Sequence, residues 1–166
     1  MRFKSFNWSG TDSLKAGLGI ALAAIALTVS FWLASPSLAA DTKLNWNTDV
    51  NAGLEEGKRS HKYVLADVYT EWCGWCKKLD RETFSNEGMV KFLNAKFVCV
   101  KANAEDNGAG QKLAGQYRVS GYPCALVFDQ DGKFIGKVSG YRDAKGYQDA
   151  LDQLISNPPA NPLADK

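Results

Sequence analysis

The stretch VLADVYTEWCGWCKKL, residues 64–79, joins an apolar run to two cysteines that are separated by two residues. The run, extended to KYVLADVYT, is nearly continuous in apolar side chains, which is typical of a strand buried on both faces of a sheet. Behind it, Cys76, Leu79 and Phe84 recur at helical spacing. The pattern therefore predicts a buried strand followed directly by a helix, with Cys73 at the helix N-terminus.

This placement predicts a reactive cysteine pair. Unpaired N–H groups and the helix dipole stabilise a thiolate at a helix N-terminus, which makes Cys73 nucleophilic near neutral pH. A disulfide to Cys76 closes a loop too short to restrain the unfolded chain much, so a purely structural role is disfavoured. A zinc or iron site needs about four ligands. His61 is the single histidine and Cys124 could add only a third thiolate, so a metal site is disfavoured too.

The composition is that of an ordinary globular protein. The chain has 166 residues, of which 45% are hydrophobic and 23% charged, and its net charge is +2. Residues 1–39 hold three of the 20 basic and one of the 18 acidic side chains, so the remainder carries 17 of each. A neutral body gives no electrostatic reason to bind nucleic acid or an anionic surface. We therefore expect no nucleic-acid partner.

Residues 1–39 have the pattern of an export signal. A positively charged start precedes the apolar run at residues 16–34, and Ser-Leu-Ala at 37–39 fits the small-x-small rule of signal peptidase. The run is also long enough to span a bilayer, so the segment is either a cleaved signal peptide or a retained membrane anchor. Both interpretations place the remainder outside the cytoplasm, in a periplasm or a thylakoid-type lumen, where disulfides persist.

Helix and strand patterns alternate along the rest of the chain. Helices are predicted in TDVNAGLEEGKRS, NEGMVKFLN, GQKLAGQY and AKGYQDALDQLIS, with Thr48, Ser85 and Asp143 as caps of the first, second and fourth. Strands are predicted in KFVCVKA, PCALVFD and KFIGKVS, the last two joined by a hairpin turn at 130–132. We expect one α/β domain with a mixed sheet over residues 40–156, followed by a disordered, proline-rich tail at 157–166.

Two segments together carry a family resemblance. VLADVYTEWCGWCKKL and VSGYPCALVFDQDGKFIGKVSGY resemble the thioredoxin family. More narrowly, WCGWCKKLDRETFSNEGMVKFL with VSGYP is similar to the thioredoxin-like C-terminal domain of the bacterial transmembrane thiol:disulfide interchange protein. The resemblance covers residues 44–156 and implies the thioredoxin fold, a central mixed sheet flanked by helices. It also implies a protein thiol–disulfide oxidoreductase that needs no cofactor or metal beyond the Cys73–Cys76 disulfide.

The resemblance implies catalytic roles for two further residues. Asp67 matches the family's buried acid, which assists removal of the proton from the second cysteine. A carboxyl group inside so apolar a run needs such a reason. Lys101 matches the lysine beside this acid, although a solvated lysine at a strand end is the alternative.

Substrate-binding positions are implied as well. They are Trp72, Gly74, Trp75, Tyr122, Pro123 and Gly140. Pro123 matches a cis proline, and the backbone of Tyr122 would offer its N–H and C=O to an extended substrate. Trp75 packing on a neighbouring loop and Gly140 serving as a turn glycine are the alternatives.

Two departures from the family pattern leave questions open. Gly74-Trp75 stands where reducing members commonly have Gly-Pro, so the direction of electron flow is undetermined. Cys124 stands where a threonine commonly follows the cis proline. In the family's sheet order the strand of Asp67 separates Cys99 from Cys124 by about 9.5 Å, more than the roughly 4.4–6.8 Å that a disulfide accepts. We expect two buried thiols, with a redox accessory or a metal ligand as the alternative for Cys124.

The sequence thus predicts an exported, monomeric thiol–disulfide oxidoreductase. It would reduce or isomerise disulfides in exported proteins and receive electrons from a membrane donor, because the exterior offers no thiol pool. A dithiol oxidase that donates disulfides is the alternative within enzymes. A non-catalytic thioredoxin-like module that holds an exported client is the alternative outside them.

Overall fold

The apolar run before the cysteine pair forms the central strand of a five-stranded sheet. The computed structural model describes residues 43–163, so the predicted export signal lies outside the described part of the chain. The strands are β1 (Trp46–Asn47), β2 (Tyr63–Tyr69), β3 (Phe97–Asn103), β4 (Cys124–Phe128) and β5 (Phe134–Ser139). The helices are α1 (Val50–Ser60), α2 (Gly74–Glu82), α3 (Glu87–Lys96), α4 (Ala109–Gln116) and α5 (Ala144–Ser156). Within residues 43–163, no helix has the length and apolar character needed to cross a bilayer.

The sheet is mixed, with the strand order β1-β3-β2-β4-β5. β1, β3 and β2 are parallel, whereas β4 runs antiparallel to β2 and β5 antiparallel to β4. In the turn between β4 and β5, the N–H of Asp129 donates to the carbonyl of Lys133 over 2.9 Å, and Gly132 adopts a φ of 79° that favours glycine. The predicted α/β class, mixed sheet and hairpin are confirmed.

Helices cover both faces of the sheet because successive strand residues point to opposite faces. On β2, Val64, Ala66 and Val68 contribute to the core beneath α1 and α4. Leu65 contributes to the core beneath α2, α3 and α5. Asp67 has the same orientation as Leu65, so its carboxyl group points into the interior on the side covered by α2.

The sheet register brings the predicted site residues together. Asp67 on β2 is the direct neighbour of Lys101 on β3, and Val68 on β2 is the neighbour of Cys124 on β4. β2 therefore lies between Cys99 and Cys124, as the resemblance implied. The structure records both as buried thiols.

One predicted helix cap is confirmed and another is wrong by one residue. Asp143 caps α5 and accepts the N–H of Gly146. The cap of α1 is Asp49 rather than Thr48. Its carboxylate accepts two N–H groups, at 2.9 and 3.0 Å, and its negative charge also suits the positive end of the helix dipole.

The predicted cap of α3 is wrong as well. Asn86 caps this helix, accepting the N–H groups of Gly88 and Met89. The hydroxyl of Ser85 donates instead to the carbonyl of Arg81 at the end of α2. Ser85 thus belongs to the end of one helix and not to the beginning of the next.

The segment after α5 has a contact to the body of the domain. Residues 157–163 contain no helix or strand. The side chain of Leu163 nevertheless packs against the core beneath α1 and α4. Disorder of the tail at 157–166 stays a prediction.

Candidate active site

Cys73 and Cys76 form a disulfide at the N-terminus of α2. Cys73 is the N-cap residue, and its sulfur accepts the N–H of Cys76 over 3.0 Å. The N–H of Cys73 donates in turn to the carbonyl of Thr70, which closes the turn between β2 and the helix. Because the cap position receives the positive end of the helix dipole, negative charge is stabilised on Cys73 more than on Cys76. The predicted placement of the pair is confirmed.

A buried ion pair lies beneath the helix that carries the cysteines. The Oδ2 atom of Asp67 is 2.7 Å from the Nζ atom of Lys101, and the two side chains are 1% and 15% exposed. Asp67 thus is the interior acid that the resemblance implied, with Lys101 beside it, and the alternative of a solvated Lys101 is wrong. The Oδ1 atom of Asp67 has no hydrogen-bond partner within the described residues.

Burial and the neighbouring charges together raise the pKa of both members of this pair. Burial raises the pKa of Asp67 above its usual value, and Lys101 opposes that rise only in part. Burial on its own would lower the pKa of Lys101, but the carboxylates of Asp67 and Asp80 outweigh it and the pKa is raised. A carboxylate whose pKa is raised is a better proton acceptor than one with the usual pKa.

Asp80 extends the pair to the surface and was not predicted. Its Oδ1 atom lies 2.5 Å from the Nζ atom of Lys101, and its side chain is 46% exposed. Asp80 lies on α2 four residues after Cys76, so both occupy the same helix face. The spacing of four residues could have predicted that Asp80 belongs to the site, because a charged residue one helical turn after a buried cysteine lies on the same face of the helix. The chain from Asp67 through Lys101 to Asp80 therefore joins β2 and β3 to the face of α2 that carries Cys76.

The loop before β4 lies at the same end of the sheet as the cysteines. The peptide bond between Tyr122 and Pro123 is cis, as the resemblance implied. The N–H of Gly140 donates to the carbonyl of Pro123 over 2.9 Å, which holds the ends of β4 and β5 together. Gly140 has a φ of 79°, which agrees with the alternative that it serves as a turn glycine. A Cβ built there meets nothing within 4 Å.

Two exposed tryptophans lie on either side of the first cysteine. Trp72 is 68% and Trp75 58% exposed. The ring of Trp72 meets the ring of Tyr122 edge-on, with centroids 6.1 Å apart, and its Nε1–H donates to Glu105. A Cβ built on Gly74, between the two tryptophans, meets nothing within 4 Å. The surface above the disulfide is therefore aromatic and open.

Trp75 packs against a residue that was not predicted. Its ring lies 5.6 Å from that of Tyr141, and the Nζ atom of Lys78 lies 5.1 Å from the Trp75 ring and 4.6 Å from the Tyr141 ring. The Tyr141 hydroxyl donates to Glu82 over 2.7 Å. Trp75 thus packs on a neighbouring loop, as the alternative held, and still presents most of its surface to solvent.

The remaining cysteines lie in the interior. Burial raises the pKa of Cys99 to about 12, with the negative charge of Asp67 adding to it. Cys124 is 2% exposed, and its sulfur lies 3.7 Å from the hydroxyl of Ser139. Both are buried, as predicted. Within residues 43–163, no group of three or more His, Cys, Asp or Glu side chains is placed to hold a metal ion.

Comparisons with known proteins agree with the fold and the cysteine pair. The thioredoxin-like domain family model matches residues 50–155. The thiol:disulfide interchange protein DsbD of Photorhabdus laumondii is 35% identical over 100 residues, which are 58% of this chain and 17% of that protein. The protein disulfide-isomerase of Hordeum vulgare is 32% identical over 95 residues, 57% of this chain and 18% of that protein. The solution structure of a thioredoxin from Thermus thermophilus superposes with a TM-score of 0.62 at 25% identity, covering 71% of this chain and 92% of that one.

The fold and the disulfide-linked pair define a thioredoxin-like disulfide oxidoreductase. The chain belongs to the thioredoxin-like family. The matched region spans less than a fifth of the length of the two curated relatives, so their similarity concerns this domain alone.

Proposed function

We propose that this chain is an exported thiol–disulfide oxidoreductase that reduces or isomerises disulfides in exported proteins. The observation that carries the proposal is the Cys73–Cys76 disulfide at the N-cap of α2, above a buried Asp67. In a non-catalytic module, a buried acid paired with Lys101 beneath the cysteines would have no function. Burying a carboxyl group destabilises the fold, as the raised pKa of Asp67 reflects.

In the first step, the thiolate of Cys73 attacks one sulfur of a substrate disulfide. The substrate S–S bond breaks, a mixed disulfide forms with Cys73, and the other substrate sulfur leaves as a thiolate that takes a proton from solvent. The helix N-terminus stabilises the attacking thiolate. The exposed rings of Trp72 and Trp75 and the backbone of Tyr122 would hold the substrate segment over the pair.

In the second step, Cys76 resolves the mixed disulfide. The Cys76 thiol gives its proton to the Asp67 carboxylate, the resulting thiolate attacks the Cys73 sulfur, and the second substrate sulfur leaves and is protonated. Two electrons pass from the enzyme dithiol to the substrate, and the enzyme is left oxidised. Lys101 stays charged and stabilises the ionised form of Asp67, which is the form that accepts the proton.

Trapping tests the proposed chemistry. A Cys76→Ser variant lacks the resolving thiol, so mixed disulfides with substrate proteins should accumulate through Cys73 and be visible after non-reducing electrophoresis and mass spectrometry. A Cys73→Ser variant is the matched control and should yield none. The proposal would be overturned by a folded Cys76→Ser variant that forms no adduct with any disulfide-containing protein.

The direction of electron flow requires its own measurement. A reduction potential of the Cys73–Cys76 couple of about −270 mV would indicate a reductant, about −180 mV an isomerase and about −120 mV a dithiol oxidase. Residues 1–39, with their pattern of a signal peptide or anchor, support an exported location. A periplasm or thylakoid-type lumen, a membrane electron donor and a monomeric state complete the proposal. Detection of the mature protein in the corresponding cell fraction tests the location.

A further inference from the structure

The ammonium of Lys101 is enclosed by aromatic rings as well as by carboxylates. Its Nζ atom lies 4.6 Å from the ring centroid of Trp46, 5.3 Å from that of Tyr69 and 5.6 Å from that of Phe84. These rings come from β1, from β2 and from the segment after α2. Five groups from four segments of the chain therefore surround one charge, when Asp67 on β2 and Asp80 on α2 are included.

Trp46 is the nearest of these rings and comes from the edge of the sheet. It pairs with Cys99 on β3, two residues before Lys101 and on the same face. Its ring also meets Phe84 edge-on, with centroids 5.1 Å apart. The two rings support each other and leave the Lys101 side chain little freedom to move away from β2.

Rings and water act differently on a neighbouring ammonium. The face of an aromatic ring attracts a cation but accepts no conventional hydrogen bond and takes up no proton. Water in the same place would hydrate the ammonium, screen its charge and let the side chain turn outward. Enclosure by rings instead of water therefore strengthens the attraction between the Lys101 ammonium and the nearby carboxylates.

We propose that Trp46 is a positioning residue for the proton transfer from Cys76, because its ring holds the Lys101 ammonium against the Asp67 carboxylate. The inference rests on the proposed function. Trp46 acts through Lys101, whose ammonium lies against its ring. Without the ring, Lys101 is hydrated and less fixed, the ionised form of Asp67 loses support, and Asp67 takes up its proton at a higher pH.

Other titratable groups face this pair from each packed element. They are Asp80 on α2, Tyr69 on β2 with Glu71 beyond it, Cys99 on β3 and Tyr147 on α5. Burial raises the pKa of Cys99 to about 12 and that of Tyr147 well above its usual value, so neither titrates in the range of the test. Repeating the titration of Asp67 in an Asp80→Asn variant shows which part of the titration curve is due to Asp80.

The test measures the protonation of Asp67 directly. The side-chain carboxyl carbon of Asp67 is followed by ¹³C NMR between pH 4 and 10 in the reduced protein. Trp46→Leu should raise the midpoint by about half a pH unit or more. A fluorinated tryptophan at position 46 keeps the shape of the ring but weakens its attraction for cations, so it should raise the midpoint by a smaller amount in the same direction.

A second measurement follows the reaction. A thionitrobenzoate group is attached to Cys73, and its release by Cys76 is recorded by stopped flow across the same pH range. The acid limb of this profile should move to higher pH together with the carboxyl midpoint. Wild-type protein that releases no thionitrobenzoate at any pH would overturn the proposed function, whereas the NMR midpoint would still decide the role of Trp46.

The chain offers a matched control away from the site. The Nζ atom of Lys96 lies 4.6 Å from the ring of Phe92, the same distance as in the Lys101–Trp46 pair. Phe92→Leu removes this contact and should leave the Asp67 midpoint unchanged. An equal shift in Phe92→Leu, or a midpoint that is unchanged or lowered in both folded Trp46 variants, would overturn the inference. If Trp46→Leu fails to fold, the fluorinated protein decides alone.

Discussion

Lys101 lies 2.7 Å from Asp67, and yet the pKa of the Asp67 carboxyl group is raised. The desolvation of a carboxylate that is 1% exposed outweighs its attraction to the ammonium. An ion pair in this position is therefore no simple source of stability. It keeps the Asp67 carboxylate, a proton acceptor, inside the fold, and this lowers the free energy of unfolding by an amount that depends on pH.

The first prediction is that Asp67→Asn makes the protein more stable, by an amount that grows with pH. The native pKa of Asp67 lies above the value of 3.8 expected for the unfolded chain. Stability linked to this group is therefore fully present below the unfolded pKa and is lost as the pH rises through the native pKa. Urea unfolding of the oxidised proteins at intervals from pH 4 to 8 measures the difference. A gap between variant and wild type that stays constant across this range would contradict the prediction.

A surface ion pair supplies the control for this series. Asp152 lies 2.9 Å from Lys96, and both side chains are nearly half exposed. Asp152→Asn should change the free energy of unfolding by no more than about 1 kcal/mol. Its effect should not grow between pH 4 and 8 as that of Asp67→Asn does.

The second prediction concerns the rate of resolution. Asp67→Asn removes the proton acceptor but keeps the size of the side chain, so release of thionitrobenzoate from Cys73 at pH 7 should slow by about 10²-fold. The initial attack by Cys73 on a disulfide should change far less, since the helix N-terminus activates that thiolate. Stopped-flow measurement of both steps separates them. Equal slowing of the two steps would show that Asp67 acts on Cys73 and not on Cys76.

The third prediction is that Cys99 is chemically inert in the folded protein. Its pKa of about 12 leaves almost no thiolate at pH 8, and its side chain is 3% exposed. After reduction, N-ethylmaleimide should label Cys73 within minutes and leave Cys99 unlabelled, as peptide mass spectrometry can show. In guanidinium chloride all four cysteines should react. Rapid labelling of Cys99 in folded protein would mean that β3 opens readily.

Sequence reasoning succeeded at positions where the residue type and its neighbours allow only one structural role. The apolar run predicted the central strand, and the spacing of Cys73 and Cys76 predicted the helix N-terminus. An acid inside that run had to be buried, and the resemblance supplied Lys101 as its neighbour. The sequence could not reveal that Trp46 belongs to the site, because β1 has only two residues. The Trp46 ring is brought to Lys101 by the pairing of β1 with β3. Contacts made across strands leave no periodic pattern along the chain.

The helix caps show a second kind of limit, and they supply the fourth prediction. Thr48 and Asp49 are both good cap residues, and the backbone alone decides between them. Because Asp49 accepts two N–H groups of α1, Asp49→Ala should lower the free energy of unfolding by about 1 kcal/mol. Thr48→Ala should change it by a few tenths of that. Urea unfolding of the two variants measures the difference, and equal losses would mean that both residues share the cap.

The fifth prediction concerns the buried hydroxyl of Tyr147. This side chain is fully buried against Phe84, with ring centroids 5.2 Å apart, and its hydroxyl has no hydrogen-bond partner among the described residues. A buried donor without a partner carries an uncompensated desolvation penalty. Tyr147→Phe keeps the ring and removes the hydroxyl, so it should raise the free energy of unfolding by about 1 kcal/mol.

Tyr147→Leu provides the comparison, because it removes both the hydroxyl and the aromatic contact with Phe84. It should destabilise the protein by about 1–3 kcal/mol, since the remaining side chain fills the space less well. Thermal and urea unfolding of both variants at pH 7 distinguish the two effects. If Tyr147→Phe is destabilised by more than about 1 kcal/mol, the hydroxyl must donate a hydrogen bond inside the fold, contrary to the prediction.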